Sequence, residues 1–226
     1  MVSNPADWPH NPAMITLDII SDPVCPWCYI GKANFDHAVR MRGVQPFDIR
    51  WRPFQLNPDM PPGGADRRAY LKEKFGAENA ALFYAQIEKF GLEAGLKFRF
   101  DLIERMPNTF DAHRLIRWSH ASGAQSALVS QLFTRFFERG EDIGDRDLLL
   151  DVGESVGMER AVLSRLFEGD ADREALENEE KTAREIGVNS VPTFIVAGRH
   201  VVTGAQPPDI WAKVLDELTA KGAEVH

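Results

Sequence analysis

At 226 residues, with 44% apolar and 27% charged side chains, the chain has the composition of an ordinary globular protein, large enough for one domain carrying a sizeable insertion. Its formal net charge of −8 argues against nucleic acid and anionic membranes as main partners, since both attract basic surfaces. No apolar run approaches the roughly 18 residues that span a bilayer, and the first ten residues have neither a cationic start nor an apolar stretch, so the expected location is the cytoplasm.

Residues 1–13, rich in proline and polar side chains, read as a flexible arm. Ile15 to Ile20 alternates, with Ile15, Leu17 and Ile19 on one side, as a strand does. The loop Ser21-Asp22-Pro23-Val24 leads into Cys25-Pro26-Trp27-Cys28, and helical spacing follows through Ile30, Phe35, Ala38 and Val39 to Gly43. Phe47 to Pro53 reads as a second strand, and a strand–helix–strand unit of this length makes the two strands parallel. Pro58, Pro61, Pro62, Gly63 and Gly64 then form a breaker-rich linker.

From Ala65 to about Gly187 every periodic segment has helical spacing. The expected helices cover about 66–75, 77–94, 125–138, 145–156, 159–167 and 172–186. Another starts at Asn108, a capping residue, and its apolar face is Phe110, Leu115, Ile116 and Trp118. Asp111, three residues on, offers a weak capping box. Strand character returns at Thr193–Val196 and His200–Thr203, with Gly198-Arg199 as the turn, and a last helix runs over about 208–220. Without the helical block the order is βαβ–α–ββα, the thioredoxin arrangement. The expected fold is thus α/β: a thioredoxin-like domain from 14–63 and 172–226, with an all-helical domain, 64–171, inserted after the second strand.

Cys25 and Cys28 are the only cysteines. They sit where a strand gives way to a helix. Unpaired N–H groups and the positive end of the helix dipole face Cys25, which favours its thiolate, the reactive form. Pro26 suits a first helical turn, where its missing N–H costs nothing. Cys28 lies a turn further in, placed to attack a mixed disulfide formed at Cys25, and Cys25 is expected to be the more exposed of the two. Zinc is the first alternative, but it usually takes four ligands; there is no second cysteine pair and His37 is too far along the helix, so no metal is expected. Two chemically inert cysteines are the second. A reducing cytoplasm opposes a purely structural disulfide.

Several ordered segments share one resemblance. They are Ser21 to Gly31 (SDPVCPWCYIG), Trp51 to Pro58 (WRPFQLNP), Asn108 to Arg114 (NTFDAHR), Gly187 to Phe194 (GVNSVPTF) and Gly204-Ala205-Gln206. Together they resemble the DsbA family of thiol–disulfide oxidoreductases, most closely its FrnE-like branch. The resemblance implies Cys25 as nucleophile, Cys28 as resolving partner, and Pro192 as a cis-proline facing the pair, with the backbone of Val191 turned toward the substrate. It implies a thiol or disulfide substrate, protein or small molecule, and no resident cofactor, with glutathione the one candidate co-substrate. Two features depart from the family. Members of secretion pathways act outside the cytoplasm, and some FrnE-like members carry a further cysteine pair that this chain lacks. Glutathione-dependent relatives, such as 2-hydroxychromene-2-carboxylate isomerase and kappa-class glutathione transferases, typically have serine in place of Cys25, so the cysteine favours redox chemistry. That isomerase activity, and a redox sensor that only switches state, stay open as alternatives.

Pro26, Trp27, Val191, Asn108 and His113 are the candidate substrate-contacting residues. His113 is either packed in the insertion or lines the cleft. Asp22 is a turn-former ahead of Pro23, and a carboxylate there would oppose a thiolate. Asp18 is a candidate buried proton acceptor. Trp51 and Phe54 are apolar groove or core residues, and Arg52, Arg114 and Arg117 either hold an anion such as glutathione or form surface pairs. Monomer and homodimer are equally compatible with the sequence.

Overall fold

The computed structural model describes residues 14–223; the arm assigned to residues 1–13 lies outside them. A four-stranded sheet has the order β2–β1–β5–β6, built from β1 (Ile15–Ser21), β2 (Phe47–Pro53), β5 (Thr193–Val196) and β6 (His200–Thr203). β1 runs parallel to β2, Leu17 opposite Ile49 and Ile19 opposite Trp51, and antiparallel to β5. The alternation of β1 puts Leu17 and Ile19 into the core. Helix α1 (Pro26–Arg42) crosses one face and ends at Gly43, whose φ of 65° suits a left-handed cap. The C-terminal helix α9 (Pro208–Ala223) packs beside α1, where the Trp211 ring meets Phe35 at 5.1 Å and Phe194 at 4.6 Å.

Between β2 and β5 the chain forms a helical block. Its helices are α2 (Arg67–Phe75), α3 (Ala77–Glu93), α4 (Phe110–Trp118), α5 (Gln125–Phe133), α6 (Arg146–Ser155), α7 (Arg160–Glu168) and α8 (Arg173–Glu185). The block covers the β2 edge: Gln125 accepts the Trp51 N–H at 3.1 Å through Oε1 and donates to the Ile116 carbonyl at 3.0 Å through Nε2. Edge strands left open invite pairing with other chains, so this seal has a purpose.

Four details correct the sequence reading. The block is not all helix, because β3 (Ala65–Asp66) pairs antiparallel with β4 (Arg105–Met106); a two-residue ladder is too short to leave a side-chain period. The helix expected over 125–138 changes at Thr134 into a π-helical turn through Glu138, and apolar spacing continues unbroken across that change. The hairpin turn takes in Ala197 as well as the expected Gly198-Arg199, with positive φ at Ala197 and Gly198 (52° and 67°). Asp111 makes no capping box: its carboxylate pairs with Arg114 and Arg146, both at 2.8 Å.

Candidate active site

Strand β1 ends at Ser21 and hands the chain to a tight turn. The Cys25 N–H bonds the Asp22 carbonyl at 2.9 Å, and the Asp22 carboxylate accepts the Val24 N–H at 3.4 Å. Cys25 then caps α1, and its carbonyl accepts the N–H groups of Cys28 and Tyr29 at 3.0 and 3.3 Å. Pro26 occupies the first turn, as its missing N–H allows. Both cysteines are free thiols and both are buried, Cys25 at 3% exposure and Cys28 at 1%, so the expected order holds but neither thiol stands open to solvent. The Cys25 sulfur donates to the Val191 carbonyl at 3.6 Å. The Val191–Pro192 peptide bond is cis, and the Pro192 ring sits over Gly31: a Cβ there would lie 3.0 Å from Pro192 Cγ.

Cys28 lies beneath. The Ser21 hydroxyl and the Asp22 backbone N–H are its polar neighbours. Burial, reinforced by the adjacent Cys25, pushes its pKa well above the ordinary thiol range. Cys28 is therefore protonated at neutral pH and must lose that proton before it can act as a nucleophile.

The helical block flanks this pair on two sides. From α3, the Phe90 ring tilts against Trp27 at 5.4 Å. The Tyr29 ring stacks on Phe133 at 5.0 Å and on Phe137 at 5.9 Å. Its hydroxyl donates to Glu138 Oε1 at 2.8 Å, and burial, with Glu138 adding to it, pushes the phenol up to about 12. From α4, His113 brings Nε2 within 3.6 Å of Asp22 Oδ1. Asp22 is wholly buried, and its other oxygen accepts the Leu56 N–H at 2.7 Å, tying the loop after β2 to the turn before Cys25. Asn108 spans the entry to α4: Oδ1 accepts the Phe110 N–H at 2.9 Å and Nδ2 donates to the Met60 carbonyl, so both ends of its amide are engaged within the chain.

The arginines are held internally. Arg114 is fully buried and bonds the carbonyls of Leu166, Gly169 and Ala171 as well as Asp111, a clamp rather than an anion receptor or a surface pair. Arg52 pairs with Asp18 at 2.7 Å, which accounts for that carboxylate, and Arg117 pairs with Glu179 and Asp172. Trp51 and Phe54 belong to the core, Phe54 lying 4.1 Å beneath the Arg184 guanidinium. Ser21 and the Asp22–His113 contact escaped the sequence reading, because a strand-end serine and a histidine 92 positions later carry no common spacing. Among the described residues no group of three or more His, Cys, Asp or Glu is placed to hold a metal, and no helix is long and apolar enough to cross a membrane.

A family model described as DSBA-like thioredoxin domain matches residues 16–216. The uncharacterized protein YwbO of Bacillus subtilis (strain 168) is 26% identical over 211 residues, 92% of this chain and 98% of its own. A probable DsbA oxidoreductase of Streptomyces coelicolor superposes with a TM-score of 0.79 at 25% identity, over 90% of this chain and 89% of that one. A 2-hydroxychromene-2-carboxylate isomerase reaches 0.70 at 16% identity, over 93% of this chain and 99% of its own. The cytosolic disulfide reductase DsbM of Pseudomonas aeruginosa, solved with GSH, reaches 0.63 at 19%, over 91% and 99%. The last two likenesses are likenesses of fold.

Proposed function

The chain belongs to the DsbA-like thioredoxin-domain family, and we propose that, as an oxidoreductase of its FrnE-like branch, it exchanges dithiol for disulfide through Cys25 and Cys28. The observation that carries this reading is the stacking of three groups: Cys25 at the N-terminal end of α1, the Val191 carbonyl 3.6 Å from its sulfur, and the buried Cys28 a turn below. In the cycle, Cys25 forms a mixed disulfide with the substrate, and Cys28 resolves it to leave a Cys25–Cys28 disulfide and a substrate thiol. The Val191 backbone, beside the sulfur and next to a proline that donates no N–H, can pair with an extended substrate segment as an added strand does. Pro26 and Trp27 border the same approach.

The reading needs no metal and no resident cofactor. Glutathione enters as a co-substrate that forms and exchanges the mixed disulfide, and a cytosolic setting, the one named for DsbM, would return the pair to the dithiol. Every group invoked comes from one chain, so monomer and homodimer serve equally.

Cys28→Ser provides the test. Turnover of a disulfide substrate should collapse while thiol-dependent isomerisation of 2-hydroxychromene-2-carboxylate stays absent before and after the change. Isomerase activity that survives the substitution would favour the isomerase alternative. A wild-type protein with no turnover of any disulfide would favour a sensor.

A further inference from the structure

Resolution by Cys28 requires a place for its proton, and the residues around it describe one. The Ser21 hydroxyl is close enough to the Cys28 thiol to pull its pKa down against burial. Ser21 lines a cavity of about one water's size together with Trp51, Arg52, Ile116 and His113. The His113 side chain is 2% exposed, and its Nε2 has no hydrogen-bond partner among the described residues. A buried polar nitrogen left unpaired is costly, so its presence calls for a reason. Asp22 Oδ1 lies 3.6 Å from Nε2. A second cavity shares Trp51, Arg52, His113 and Ile116 with the first and leads between β2, α4 and α8 to the partly exposed Arg52 and Arg117.

We propose that His113, steadied by Asp22, takes the Cys28 proton through the Ser21 hydroxyl and one water in the small cavity, a proton route that runs into the inserted helical block. The inference rests on the reading of Cys28 as the resolving thiol. The step balances as follows. Cys28 S–H passes its proton to Ser21 Oγ as the Ser21 proton moves through the water to His113 Nε2. The Cys28 thiolate attacks the Cys25 sulfur, the Cys25–Cys28 bond forms, and the bond to the substrate sulfur breaks, releasing a substrate thiolate. The cysteine pair is oxidised and the substrate disulfide reduced. In the opposite direction His113 returns the proton. Asp22 from the turn faces His113 directly, Arg52 from β2 shares both cavities with it, and Arg50, Arg117, His120 and Glu179 line the outer one.

The reduced protein mixed with 5,5′-dithiobis(2-nitrobenzoate) separates the steps, because Cys25 attack releases the first coloured thiolate and Cys28 resolution the second. His113→Gln should lower the ratio of the second rate to the first about 100-fold at pH 7, the lower end of what a positioned acid–base group contributes. It should also give the second phase a slope of about tenfold per pH unit between roughly pH 7 and 8.5, as hydroxide takes over, where the wild type is flatter. Ser21→Ala should slow the same phase, and it decides the matter alone if His113→Gln does not fold. Equal slowing of both phases with the wild-type pH slope would reveal a purely structural histidine and overturn the route, as would wild-type second phases in both variants. Cys28→Ser is the control that keeps the two claims apart. If it still releases the second thiolate, the exchange reading itself fails; if it blocks release while His113→Gln and Ser21→Ala do not, only the proton route fails.

Discussion

Gly31 lies inside α1, where alanine would ordinarily gain about 1 kcal/mol of helix propensity. Here the added Cβ meets Pro192 Cγ at 3.0 Å and the Ala205 backbone at 3.4 Å, and overpacking costs about 1–3 kcal/mol. The two effects partly offset in stability but not in geometry, because Pro192, next to the Val191 carbonyl that the Cys25 sulfur meets, must give by a few tenths of an ångström. Gly31→Ala is therefore expected to change the urea midpoint little and to slow disulfide exchange about tenfold or more. Unchanged exchange with lowered stability would place the strain elsewhere. At the same scale, Cys28 and Tyr29, with Tyr84 raised by burial in the same range as Tyr29, make stability fall at high pH. The folded chain raises the Cys28 pKa by burial, so the fold prefers the neutral thiol. Its contribution is whole below the unfolded thiol value of about 8.5 and is lost as pH rises beyond it. Tyr29 behaves likewise between its ordinary value of about 10 and its folded value of about 12. Denaturant titrations of the reduced protein should show stability falling in both windows, with Cys28→Ala flattening the first and Tyr29→Phe lessening the second. A wild type whose stability is level from pH 8 to 12 would contradict both assignments.

Among the elements, those with strong periodicity were legible from sequence. Phe47–Pro53, Thr193–Val196 and His200–Thr203 read as strands with the bounds the structure shows, because alternation and turn residues mark both ends. The Cys25–Cys28 spacing at a strand–helix junction marked the candidate site for the same local reason. What stayed hidden depends on partners distant in sequence. The π-helical turn at Thr134–Glu138 sets Thr134 and Glu138 against the Tyr29 hydroxyl, a contact across more than 100 residues. Arg114 sits on an apolar helix face, yet it serves the carbonyls where α7 ends. Its removal leaves three carbonyls without their donor and takes one of two close arginines from Asp111, and breaking one side of a buried ionic network costs about 3–5 kcal/mol. Arg114→Leu is expected to lose stability on that scale while the folded fraction keeps its exchange rate. A loss below about 1 kcal/mol, read from urea unfolding, would mean that water replaces the clamp.

Across the whole molecule, one continuous apolar cluster joins Leu17 and Ile19 of the sheet, Phe35 of α1, Leu115 of α4 and Phe167 of α7. The block expected over 64–171 and the flanking thioredoxin-like parts thus share a core, and we expect them to unfold together. Tryptophan fluorescence and far-ultraviolet circular dichroism should trace coincident urea transitions; two separated transitions would show independent units. The same union brings His113 to Asp22 and Phe90 to Trp27, so the insertion completes the surroundings of the cysteine pair. The central claim, that Cys25 takes the substrate and Cys28 releases it, is tested most directly by peptide mass mapping after exposure to oxidised glutathione. The account predicts a lasting glutathione adduct on Cys25 in Cys28→Ser, none in Cys25→Ser, and in the wild type an internal Cys25–Cys28 disulfide. A lasting adduct on Cys28, or a Cys28→Ser protein that sheds its adduct as fast as the wild type, would contradict it.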